Sequence, residues 1–226
     1  MPAVLQIQVN KNLYIRDPEE TELGRQIVSE SIKLMDKLGF EKFTFKKLAA
    51  DISSTEASVY RYFESKHQLL LYLVSWYWLW IDYRIQYRIS NIKETTEKLR
   101  LVIRTLTEST SDDPASTHVD EETLHRIVVA ESAKAYVTPD MKGPKTAELF
   151  KSFESLCDRI VGIILEARPK FAHPRALASS MIVLAHRESF YARYIPGVTD
   201  LKLKKENYKE VMDYLELVLF ATLGIK

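Results

Sequence analysis

Glu121 and His125 stand one helical turn apart, with His118 just upstream. A carboxylate and an imidazole at that spacing could share a cation. A third ligand at matching spacing is missing and loop acids surround the set, so the histidines read as surface residues and no metal is expected. The chain has no Ser-His-Asp order, no glycine-rich phosphate loop and no paired-carboxylate motif, which argues against an enzyme and gives no reason to expect a cofactor. Cys157 is the single cysteine. It excludes an intramolecular disulfide framework and a zinc pattern, reads as a buried structural thiol on a helix, and makes a reducing cytoplasm the natural setting.

The remaining candidate chemistry lies in residues 55 to 66, TEASVYRYFESK. In a helix starting at Thr55, Val59 with Tyr62 and Phe63 forms one face that can pack on Leu48, Ala49 and Ile52. Glu56, Ala57, Ser58, Tyr60 and Arg61 fall mostly off that face. Small residues at the start of such a helix permit close approach to another surface, while Tyr60 and Arg61 offer donors to phosphate, the chemistry of a helix entering a major groove. On these residues alone an ordinary solvated surface helix serves as well. Charge does not decide the matter: the net charge is +1, and residues 41 to 67 hold five bases against four acids.

The elements that must position these residues are helical. Six Gly and eight Pro among 226 residues, with 46% apolar and 28% charged, describe a globular chain without the many tight turns of an all-β fold. The first long period runs from about Pro18 to Leu38, with Ile27, Val28, Ser31, Ile32, Leu34, Met35 and Leu38 in one stripe and Gly39 as its stop. Residues 1 to 16 precede it as an arm. Thr44 can cap a short helix of about 45 to 52, and Thr55 a second to about Phe63. A long helix follows at about 66 to 90, then helices at about 92 to 109, 121 to 137, 145 to 167, 174 to 194 and 206 to 223. The breaks between them carry Pro or clustered turn formers. The start of the chain lacks the basic, apolar pattern of a signal peptide. The most lipid-like window, 68 to 81, has 14 residues and is too short to cross a bilayer, so no membrane partner is expected.

The run FTFKKLAADISSTEASVYRYFESKHQLL, residues 43 to 70, resembles the DNA-binding signature of the tetracycline-repressor (TetR) family. The elements that carry the likeness are Leu48-Ala49, the turn at Ser53-Ser54, the small-residue start Thr55 to Ser58, Tyr60 with Phe63, and Ser65-Lys66 with Leu69. The family usually has Gly and an apolar residue in the turn, and often a basic or polar residue at the place of Glu56. A carboxylate there repels phosphate but could accept from a cytosine amino group.

The resemblance implies an all-α protein: an N-terminal arm (1–16), a three-helix helix-turn-helix DNA-binding domain (17–65) and a helical ligand-binding and dimerisation domain (66–226). It implies a homodimeric regulator, most often a repressor, that binds double-stranded operator DNA and is released by a small-molecule effector. Carried over by position, base contacts fall to Lys46, Glu56, Ala57 and Ser58, sugar and phosphate contacts to Tyr60 and Tyr62, and backbone holding to Thr44, Thr55 and Lys66. Trp76, Trp80, Tyr83 and Tyr87 share one face of the long helix. Core packing explains such aromatics well, and the resemblance makes them candidates for an effector pocket. Leu177, Met181, Leu184 and Tyr191, with Val211, Leu215 and Val218 of the last helix, are the candidate dimer interface.

Overall fold

A computed structural model describes residues 7–108, 118–136, 150–203 and 207–225. Among them every extended element is a helix: α1 Glu22–Leu38, α2 Phe45–Asp51, α3 Glu56–Tyr60, α4 Lys66–Ile89, α5 Thr95–Thr107, α6 Glu121–Tyr136, α7 Lys151–Ala167, α8 Pro174–Tyr194 and α9 Lys209–Leu223. Short 3-10 turns stand at Lys11–Leu13, Pro18–Glu20 and Pro196–Val198. The all-α expectation holds, and the bounds differ where side chains capture backbone donors. Thr21 is extended and its hydroxyl accepts from Gly24 N, so α1 opens four residues later than the apolar period suggests. Glu94 likewise accepts from Thr96 N and delays α5. The expected helix start at residues 145 to 149 lies outside the described residues.

Packing divides the chain into two compact units, drawn differently from the segments read in the sequence. The first contains residues up to Trp80 together with 110–153, and the second contains 81–109 and 154–226. In the first unit α1 packs on α2, on α6 and on the turn at Pro18–Glu20, and α2 packs on α3. Its interior holds Ile27, Val28, Ile32, Phe43, Leu48, Val59, Phe63, Leu69 and Leu70. Gly24 is required where α1 crosses the Pro18–Glu20 turn, because a Cβ there would lie 2.3 Å from the Pro18 carbonyl oxygen. In the second unit α8 packs on α5 and α9, and α9 on α5. Arg159 of α7 grips the Asp82 carboxylate of α4 through two guanidinium nitrogens and reaches Gln86 at 3.2 Å.

The N-terminal arm is built into the first unit from residue 7 onward. Ile7, Val9 and Leu13 are buried, Asn10 caps the 3-10 turn by accepting from Asn12 N, and Ile15 N donates to Tyr62 O at 2.8 Å. The arm therefore ends against the loop that follows α3.

Candidate nucleic-acid interface

Three threonines fix the helix starts around the candidate surface. Thr44 Oγ1 accepts from Lys47 N to open α2, and Thr55 Oγ1 accepts from Ser58 N and bonds Ser58 Oγ to open α3. Thr21 Oγ1, which opens α1, also hydrogen-bonds the Tyr62 hydroxyl at 2.7 Å. Between α2 and α3, Ser53 takes φ 50, the left-handed conformation that a glycine would adopt without strain. The turn thus places a left-handed backbone on a serine, a residue that resists it. Val59 is fully enclosed, so α3 lies on α2 through one side and exposes Glu56, Ala57, Tyr60 and Arg61 on the other. Tyr60 is 47% exposed and meets Phe45 edge-on at 5.0 Å, which holds its ring upright on the surface.

The candidate residues separate into two groups. Thr44, Lys46, Thr55, Glu56, Ala57 and Tyr60 are exposed, and Ser58 is half-buried. Tyr62 and Lys66 belong to the scaffold. Tyr62 is 2% exposed with its hydroxyl committed to Thr21, so a sugar or phosphate contact from it requires the α1 cap to open. Lys66 Nζ donates to Phe40 O and Glu41 O at 3.1 Å and to Phe43 O at 3.4 Å, and stands 4.7 Å from the Phe40 ring centre. The ammonium closes the α1–α2 connection by binding three carbonyls of the loop between the helices. Two further cations stand at this surface, Arg61, already read as a phosphate donor, and Arg16, which the sequence reading passed over. Arg16 of the arm is exposed and lies over the Tyr62 ring at 5.7 Å, and Arg61 is exposed at the end of α3. A basic residue just before the first helix was the available signal for Arg16. Of the nearby acids, Glu41 pairs with Lys134 at 3.1 Å, which lowers its charge toward an approaching phosphate.

The histidines read as surface residues are not. His125 and Glu121 are buried, and the Tyr77 hydroxyl bonds His125 Nδ1 at 2.7 Å. The α6 stripe that includes Leu124 and Val128 faces inward and takes them with it. His118 Nε2 meets Glu19 Oε1 at 3.0 Å, and Glu19 also accepts from the Tyr72 hydroxyl. Burial, followed by Glu19 and Asp17, pushes the Tyr72 hydroxyl well up, and burial with Asp17 pushes Tyr14 up to about 12. Among the described residues no three His, Cys, Asp or Glu side chains gather as a metal site. Cys157 is buried and its thiol is pushed up to about 11 by burial, the state of an inert structural thiol.

The aromatic face of α4 is split between environments. Trp76 and Trp80 stack at 6.3 Å inside the first unit, whereas Tyr83 and Tyr87 stack at 6.3 Å on the surface of the second, Tyr87 being 72% exposed. The candidate dimer residues also divide. Met181, Val211 and Leu215 are buried within the single chain, where they pack in its own core. Leu177, Leu184, Tyr191 and Val218 are half-buried. The apolar residues left facing outward on α8 and α9 are Val183, Tyr194, Tyr214 and Leu217, the last 66% exposed.

Residues 27–73 match the family model described as bacterial regulatory proteins, tetR family, which bears out the resemblance carried by residues 43–70. Comparison with curated protein sequences gave no match. Among solved structures, AibR in complex with isovaleryl coenzyme A and operator DNA superimposes with a TM-score of 0.61 at 19% identity, over 87% of this chain and 98% of that one. The fatty acid degradation regulator FadR from Bacillus halodurans gives 0.61 at 13% identity, over 88% and 97%. A TetR transcriptional regulator from Legionella pneumophila gives 0.57 at 20% identity, over 91% and 98%. At these identities the likeness is one of fold, a helix-turn-helix followed by a helical body along nearly the whole chain.

Proposed function

We propose that this chain is a homodimeric, DNA-binding transcriptional regulator of the cytoplasm, released from its operator by a small molecule and acting as a repressor. The observation that carries the reading is α3. Its inner side is locked by Val59 and its outer side offers small residues followed by Tyr60 and Arg61, within a segment that matches a family of regulators. Residues 17–65 form the DNA-binding part, and 66–226 the sensing and dimerising part. Glu56, Ala57, Ser58 and Lys46 read bases, while Tyr60, Arg61 and Arg16 meet phosphate. Dimerisation uses the outward faces of α8 and α9 around Val183, Tyr214 and Leu217. A dimer is needed because two recognition helices roughly 34–36 Å apart meet successive major grooves.

Effector control requires a ligand that binds the released form more tightly than the DNA-bound form. Helix α4 supports such coupling, since it is one unbroken helix that contributes to both compact units. A second reading, the same scaffold with weak DNA affinity, draws support from Lys66 and Tyr62, whose polar atoms are taken up inside the fold. Recovery of bound fragments from sheared genomic DNA by the purified full chain, at fixed salt, separates the two. Reproducible enrichment of a few loci supports the first reading, and uniform weak recovery supports the second.

A further inference from the structure

The arm runs from Tyr14 to Asp17 between two buried anchors, Leu13 and Pro18. Its course there is held from several sides. Tyr14 meets Tyr72 edge-on at 6.2 Å, and Ile15 N donates to Tyr62 O at 2.8 Å. Asp17 accepts from the Tyr14 hydroxyl through one carboxylate oxygen and from Glu19 N through the other. The exposed side chains of this run are Ile15, at 57%, and Arg16. Arg16 rests over the Tyr62 ring at 5.7 Å, and among the described residues no carboxylate pairs with it. Its neighbour Asp17 has both oxygens engaged within the arm. A cation and an aliphatic side chain are thus presented together on backbone that is already fixed.

Position supplies the partner. Ala57 and Ser58 stand at the start of α3, and Tyr60 and Arg61 at its end. With the start against base edges and the end against phosphate, the strand that walls the major groove runs past Tyr60 and Arg61. Tyr62 and the arm bonded to it lie beyond that wall, on the side of the adjoining minor groove. That groove takes this chemistry: a guanidinium is drawn to the negative potential of a minor groove narrowed by A·T pairs, and apolar side chains enter beside it. We infer that Ile15 and Arg16 read the minor groove flanking each half-site, with Arg16 passing the phosphates into the groove and selecting A·T pairs there. The inference rests on the DNA-binding reading and adds to it a second reading element outside α3. Because the arm is already seated on the fold, insertion orders the Arg16 side chain and little backbone, which keeps its entropic cost small.

The test uses a duplex recovered by the purified full chain from a random pool. The base pairs just outside each half-site are set to A·T, G·C or inosine·C, and affinity is measured at one salt concentration for the parent and for Arg16→Ala. Inosine·C lacks the guanine amino group in the minor groove and keeps the major-groove pattern of G·C. Arg16→Ala leaves the Ile15 N to Tyr62 O bond, which is backbone, in place. The expected result is that the parent binds the A·T and inosine·C forms about tenfold more tightly than the G·C form, and that Arg16→Ala binds all three alike. Equal affinity of the parent for the A·T and G·C forms, inosine·C behaving as G·C, or a preference that survives Arg16→Ala overturns the inference and leaves DNA reading by α3 standing. Recovery of no motif from the pool removes both.

Discussion

Lys66→Met removes an ammonium and keeps most of its stem, and its effect separates a phosphate ligand from a scaffold cation. Nζ donates to the carbonyls of Phe40, Glu41 and Phe43 and lies against the Phe40 ring. Hydrogen bonds from a charged donor contribute roughly 1.5–3 kcal/mol each when enclosed, and the ring contact about 0.5–1 kcal/mol at a partly exposed site. Glu41 is exposed, so water can replace Nζ at its carbonyl and part of the sum is recovered. Phe43 O lies at 3.4 Å and contributes little, so the Phe40 bond and the ring contact remain, and the expected loss of unfolding free energy is about 2–4 kcal/mol, read as a shift in urea midpoint at unchanged slope. For protein that remains folded, DNA affinity at fixed salt should change by less than about threefold. The dependence of log affinity on log salt should stay the same, because a phosphate contact adds about one unit to that slope. A variant as stable as the parent that binds DNA tenfold more weakly with a slope reduced by about one would refute the reasoning.

Gly24→Ala should lower stability by more than about 1 kcal/mol in the same denaturation assay, because its Cβ meets the Pro18 backbone and not a side chain that can rotate away; an unchanged midpoint would contradict the packing of α1 on that turn. For association, Leu217→Glu should leave the urea midpoint within about 0.5 kcal/mol of the parent and yield a monomer by sedimentation, since Leu217 is exposed on α9. Leu215→Glu should cost several kcal/mol of folding stability, because it places an unpaired charge in the core of the chain itself. Persistence of a dimer in folded Leu217→Glu would remove the outward face of α9 from the interface.

The helical fold was legible because apolar residues recur at helical spacing and Thr44, Thr55 and Gly39 mark ends with side chains or backbone suited to them. The exposed half of the recognition surface was legible for the same reason: Val59 and Phe63 define an inner face, so Glu56, Ala57 and Tyr60 must lie outside it. The intrachain partners of Lys66 and Tyr62 were not legible, because motif position does not say which acceptor a donor will reach, and Phe40, Glu41 and Phe43 are more than 20 residues from Lys66 in sequence. In α8 and α9 the apolar pattern runs more than halfway round, and periodicity cannot tell a face buried by the chain's own helices from one kept for a partner. The burial of Met181, Val211 and Leu215 was hidden by that ambiguity. His125 was taken for a surface group because its partner, Tyr77, stands 48 positions away and a single sequence does not pair them.

Recognition of DNA through the outer side of α3 is tested most directly by selecting bound sequences from a random duplex pool. The selection uses the purified full chain and, in parallel, an Ala57→Glu variant shown to be equally folded. The substitution adds a second carboxylate beside Glu56 on an exposed position and leaves the Val59 face untouched. The expected result is a reproducible motif with two half-sites about one helical turn apart for the parent, lost or altered in the variant. Identical recovery of unselected sequence by both proteins at the same salt would contradict it.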